Sequence, residues 1–248
     1  MQQYRPNSFS MLPLVVKNLL IINGLFFLTT LVFETQLNLD LSDYLGLHYP
    51  LAESFRPWQL VSYMFMHGNF MHLFFNMFAL WMFGNTLENY WGPKRFLIYY
   101  MATGIGAGII QLLVTHFRLM SLYSQISEEG LNFVITKGSE IYQSGQNFSD
   151  PIAGKINLLM NSVTIGASGA VFGILLAFGM LFPNTLLYIY FAIPIKAKWF
   201  VVLYGAVELY SGIANSSGDN VAHFAHLGGM LFGFILIKFW QKRRNNTY

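Results

Sequence analysis

From Val221 to Trp240 the chain reads VAHFAHLGGMLFGFILIKFW. Twenty residues with one full charge, Lys238 near the far end, match the length a helix needs to cross a hydrocarbon core of about 30 Å. The start of the run is different in kind. It carries His223 and His226, and a lipid-facing helix has no use for an imidazole. Gly229 and Gly233 follow His226 at spacings of three and four, so the three share one helical face. Glycines on such a face admit a neighbouring backbone almost into contact.

The rest of the chain has the same character. Its 248 residues are 54% hydrophobic, 17% aromatic and only 10% charged, where soluble domains carry about a quarter charged residues. Five further apolar segments precede the quoted one: Leu14–Phe33, Met71–Trp91, Arg95–Phe117, the short Ser168–Phe182, and Ile195–Ile213. The expectation is an all-α, polytopic bundle of six transmembrane helices over residues 14–240. It has a polar N-terminal segment, 1–13, and a basic tail, 241–248. An extramembrane insertion at 118–161 is expected to form a short helix or hairpin. The first apolar run is long and lacks a small-residue cleavage site, so it reads as a retained span and not a signal peptide. There are no cysteines, which removes disulfides, thiolate metal sites and cysteine nucleophiles together.

Orientation follows from the basic residues. With both termini cytoplasmic, that side holds 10 of the 14 Lys and Arg, among them Lys94, Arg95, Lys196, Lys198, Lys242 and Arg243. The other side receives 9 of the 11 acids, leaving Glu88 and Glu208 in or at the edge of spans. The chain is expected to lie N-in and C-in, with a bacterial plasma membrane as the expected setting.

Polar groups in lipid are costly and mark function by default. Three clusters stand at the non-cytoplasmic ends of their spans. Gly166-Ala167-Ser168-Gly169 opens the fourth span, placing Ser168 in a first turn whose backbone N–H groups are free to stabilise negative charge. The same segment also reads as a packing stripe of Gly169, Gly173 and Ala177. His226 opens the sixth span; it reads either as a base or as an interhelical hydrogen-bonding group. His72 and Asn76, four apart on the second span, offer donors of the kind an oxyanion needs, or a tie between helices. A metal set of His72, His223 and His226 is a further reading, but it has no carboxylate at ligand spacing and lacks the hydrolytic zinc pattern. Together the clusters supply a nucleophile, a base and an oxyanion stabiliser at one depth. Glu208 is expected deep in the fifth span and Asp219 in a loop, so no acid is expected to join them: a dyad rather than a triad.

With the run from His67 to Asn76 (HGNFMHLFFN), Glu88, the GASG serine and the AHFAHLGG histidine in place, the sequence resembles the rhomboid family from about Trp58 to Gly233. The resemblance implies an intramembrane serine protease acting on transmembrane protein substrates in the bilayer, with no cofactor, no metal and no nucleic-acid partner. It implies Ser168 as nucleophile, His226 as base, and His72 and Asn76 in the oxyanion region. Gly166 and Gly169 support the serine. Gly229 and Gly233 correspond to close packing of the sixth helix on the fourth. Phe172 occupies a place where some members have a tyrosine under the histidine. Two features depart from the pattern: Trp58-Gln59 stands where Trp-Arg is common, and the 118–161 insertion is long. The competing readings are a catalytically inactive relative that binds membrane clients, and a small transporter. The first is disfavoured because serine and histidine are both present, and the second because no charged pathway crosses the bilayer.

Overall fold

The structure is a computed structural model that describes residues 11–189, 192–214 and 221–245. It is a helical bundle. Helix α1 (Leu14–Leu37) is about 36 Å long at 1.5 Å per residue and ends at Asn38, in the left-handed region at φ 52°. The first loop carries two single-turn helices, α2 (Ser42–Leu45) and α3 (Gln59–Ser62), then a 3₁₀ turn at Tyr63–Phe65. The next span is continuous but not uniform: α4 (Phe70–Ala79), a π turn at Leu80–Gly84, and α5 (Asn85–Trp91). Gly92 turns the chain at φ 80°, and Pro93 starts α6 (Pro93–Tyr123). Then come α7 (Glu128–Gln143), α8 (Pro151–Asn161) and α9 (Ser168–Leu181). A two-stranded antiparallel hairpin, β1 (Leu186–Ile189) and β2 (Ile193–Lys196), leads into α10 (Ala197–Ala214); α11 (His223–Asn245) follows.

Each of the six expected apolar segments falls largely on one of these helical stretches. Among the described residues three helices, α1, α6 and α11, are by themselves long and apolar enough to cross a membrane. Helix α9 is apolar but has only 14 residues, about 21 Å of rise against a core of about 30 Å. It is hydrophobic all round because it is buried all round: α6, α10 and α11 enclose it. The outward faces of α1, α4 and α10 expose large apolar side chains such as Leu28, Phe75 and Val207, as lipid-facing surfaces do. The β hairpin is a departure from the all-helical expectation. It takes up Ile195, so the fifth helix starts at Ala197. The sixth starts at His223, two residues after the expected Val221.

The 118–161 insertion is a helical hairpin. Its first residues belong to α6, which runs on past the expected Phe117 to Tyr123. Ser127 caps α7 by accepting from Gly130 N, and Asp150 caps α8 by accepting from Ile152 and Ala153 N. The hairpin closes over its own small core of Leu119, Val134, Ile156 and Met160, to which Tyr49 of the first loop is added.

Two buried polar side chains tie the bundle together. Gln59, the departure from Trp-Arg, is fully buried. Its Nε2 donates to Tyr44 O (3.2 Å) and Ser54 O (3.0 Å), and its Oε1 accepts from Arg56 N at 3.0 Å. A neutral amide thus anchors the first loop, while the Arg56 guanidinium stays exposed on nearby carbonyls. Glu88 caps α1 from a distance. Its Oε1 accepts from Val15 N at 2.9 Å and its Oε2 from Val16 N at 2.8 Å. The first N–H groups of a helix have no intrahelical acceptor and carry its positive dipole end, so a carboxylate suits both needs. Glu88→Ala strands two N–H groups at a buried site, and hydrogen bonds to charged groups contribute about 1.5–3 kcal/mol each. The expected outcome is a clear drop in the thermal unfolding midpoint of the detergent-solubilised protein, with Glu88→Gln intermediate; an unmoved midpoint would show that the cap does not stabilise the fold.

Candidate active site

The serine is delivered by a short extended segment. Thr164 pairs with Leu47 through two backbone bonds of 2.9 and 3.0 Å, and Gly166 N donates to Tyr63 O at 2.9 Å. The chain then turns into α9 at Gly166, which sits at φ 125°, a conformation that L side chains rarely adopt. A Cβ there would stand 2.8 Å from His72 Nε2, so the His72 ring lies directly over the glycine. Ser168 is the first residue of α9 and is only partly exposed.

The histidine is delivered by a backbone contact. A Cβ on Gly229 would overlap the carbonyl oxygen of Gly169, so α11 crosses α9 with no side chain between them. At that separation Ser168 and His226 meet: Ser168 Oγ lies 2.8 Å from His226 Nε2. Phe172, one turn along α9, stacks on the imidazole at 4.2 Å between centroids and 6° between planes. Its other neighbour is Tyr204 of α10, stacked at 5.1 Å. Gly233 is a correction. The nearest atoms to its missing side chain belong to Tyr99 and Thr103 of α6, not to α9. The sixth helix wedges between two partners, and one turn rotates the second glycine toward the other.

The expectation that no acid approaches His226 is also corrected. Glu208 comes from α10, six residues before its end, and its Oε2 lies 2.8 Å from His226 Nδ1 and 2.6 Å from His223 Nδ1. Glu208 does lie inside the bundle, but His226 reaches inward to the same depth. Asp219 falls in 215–220, outside the described residues. Glu208, His223 and His226 also form the one candidate metal set among the described residues, with ligand atoms within 4.8 Å of one another. His72 is not part of it. Two imidazoles and a carboxylate fit a divalent cation chemically, but the same Nδ1 atoms already engage the carboxylate.

His72 lies over Gly166 beside this pair, and Asn76 follows it one turn along α4. Asn76 is buried and spends one amide hydrogen on His72 O at 2.8 Å. His72 is held edge-on by His67, ring centroids 5.0 Å apart. Burial and then the neighbouring His72 hold the His67 imidazole down at about 4, so it is neutral near pH 7.

Residues 54–243 match the Rhomboid domain, and the chain belongs to the rhomboid family of integral membrane proteins. It is 27% identical over 184 residues to Rhomboid protein 1, mitochondrial, of Saccharomyces cerevisiae, covering 73% of this chain and 42% of that protein. It is 30% identical over 125 residues to Rhomboid-like protease 1 of Toxoplasma gondii, covering 48% and 42%. With the Putative rhomboid protease YdcA of Bacillus subtilis it shares 26% identity over 193 residues, covering 77% and 71%. The chain spans about half the length of the eukaryotic relatives it matches.

The Gly229 contact generates a prediction. A methyl group there meets backbone, which cannot rotate away, and overpacking of even compliant cores costs about 1–3 kcal/mol. Gly229→Ala should lower the thermal unfolding midpoint far more than Gly24→Ala, whose added Cβ meets no atom within 4 Å. Equal midpoints for the two variants would mean that α9 and α11 separate at no cost.

Proposed function

We propose that this chain is a serine endopeptidase that hydrolyses peptide bonds in or near the transmembrane segments of membrane proteins. Ser168 is the nucleophile and His226 the general base. The observation that carries the reading is the 2.8 Å contact between Ser168 Oγ and His226 Nε2 at the buried start of a helix too short to span the bilayer. A serine hydroxyl is a weak nucleophile until a base takes its proton. As Oγ attacks the peptide carbonyl, the proton passes to Nε2, and a tetrahedral oxyanion forms. His226 then gives the proton to the leaving amine, and water releases the acyl group by the reverse roles.

The oxyanion develops beside Ser168, where the first-turn N–H groups of α9 are donors without intrahelical partners. His72, whose Nε2 borders Gly166, is assigned as a side-chain donor to it, and Asn76, one turn further along α4 with an amide hydrogen to spare, as a second. Phe172 stacks on the imidazole and holds its plane.

Cleavage of a reconstituted model transmembrane substrate tests the assignment. Ser168→Ala and His226→Ala should each lower turnover by at least about 10³-fold in folded protein. The double variant should be no worse than the singles, because the two act as one unit. His72→Ala should cost about 10²–10³ at the chemical step. Near-wild-type turnover by folded His226→Ala would show that the base is another residue. Inactivity of the wild type on a panel of transmembrane substrates, with no labelling of Ser168 by a fluorophosphonate, would favour a client-binding relative.

The site opens to the non-cytoplasmic side in an N-in, C-in chain, the orientation that the distribution of basic residues favours. The relatives carry both mitochondrial and bacterial names, so a bacterial plasma membrane is not singled out. Topology is testable because the chain has no cysteine. Single cysteines placed in 128–145 should react with an impermeant thiol reagent from the outer side, and those in 241–248 only after permeabilisation. The reverse pattern would invert the bundle.

A further inference from the structure

The geometry points to Glu208 as a positioning residue that holds His226 in the tautomer and orientation of a base, with His223 bracing the carboxylate; this rests on reading Ser168 and His226 as the reacting pair. A carboxylate accepts hydrogen bonds and donates none. Both Nδ1 atoms that face Glu208 Oε2, at 2.8 Å from His226 and 2.6 Å from His223, therefore carry the ring proton. A neutral imidazole has one N–H, so Nε2 of His226 is left as a lone pair. That lone pair is the atom facing Ser168 Oγ at 2.8 Å.

Stacking on Phe172 fixes only the plane of the ring. Within that plane the imidazole is free to turn, and bonds at both nitrogens remove that freedom. When the serine proton arrives, the imidazolium forms against a negative charge in a poorly solvated site, where the attraction is strong. Glu208 itself is buried, and a buried carboxylate needs donors. His223 is the second donor, so the carboxylate does not have to move to satisfy itself when His226 changes charge.

A simpler role is available to these atoms: a clasp that pins α10 to α11. Arg118 of α6 already serves that joint, donating to Gly212 O at 2.8 Å and lying over the Phe224 ring. A clasp also does not account for the alignment of His226 with Ser168 on its far nitrogen.

Glu208→Gln separates the two roles. It keeps the shape, removes the charge, and presents an amide that can accept from Nδ1–H through its oxygen or donate to a bare Nδ1 through its nitrogen, so it no longer selects one tautomer. The full chain is reconstituted with the model substrate, and histidine is ¹⁵N-labelled for side-chain NMR. The expected result is a loss of at least about 10²-fold in kcat with KM within about threefold. The unfolding midpoint should stay near wild type. Glu208→Asp should recover part of the rate. In the wild type, His226 should show a protonated Nδ1 and a bare Nε2; in Glu208→Gln the two tautomers should mix. His223→Ala should give a smaller rate loss of the same kind. A Glu208→Gln rate within threefold of wild type overturns the inference and leaves the Ser168–His226 pair standing. So does a loss accompanied by a lower midpoint, an unchanged His226 tautomer and no recovery with Asp, which is the signature of the clasp. Should the wild type cleave nothing, the protease reading fails, and the His226 tautomer still decides the role of Glu208: mixing on Glu208→Gln upholds it and no change refutes it.

Discussion

Everything at the site depends on how closely α11 approaches α9. The carbonyl of Gly169 lies where a side chain at 229 would begin, so the two backbones touch. Membrane helices have little hydrophobic drive to associate, since lipid tails are as apolar as leucine. What replaces that drive is dense van der Waals contact, and only a glycine permits it at this crossing. The contact places Ser168 and His226, each near the start of its own helix, within one hydrogen bond of each other. Phe172 and Tyr204 then stack in series, carrying the imidazole plane across to α10.

A second constraint is that polar groups taken from water must find partners. The bundle meets it twice with one chemistry. Glu88 takes two backbone N–H groups at the start of α1. Glu208 Oε2 meets the Nδ1 atoms of two imidazoles at the start of α11. The first pairing fixes where a helix begins and involves no group that changes charge. The second touches the side chain proposed as the general base. Gln59 solves the same problem for the first loop without any charge, since its amide offers donors and acceptors together.

Much of this was legible in the sequence because lipid simplifies the rules. Runs of about twenty apolar residues announce helices, and a serine or histidine inside one has to be explained. Ser168 and His226 were found that way and Phe172 through the resemblance to the rhomboid family, and the structure brings the three together. The 118–161 hairpin was visible as a polar interruption, though not as two capped helices with their own core.

The sequence by itself determined which segments are helical and which polar residues lie in them, because hydropathy is a property of the chain and needs no neighbour. Only the tertiary structure decided which of those residues meet. Glu208 read as an acid too deep to matter, since sequence gives depth along a helix but not rotation about it. A helix advances 100° per residue, so a small change in roll or register decides whether a carboxylate faces lipid, a packing partner or an imidazole. The same geometry turned Gly233 toward Tyr99 of α6 while Gly229, one turn earlier, faced α9. Such choices are settled by the packing of all the helices at once, and no local stretch of sequence encodes them.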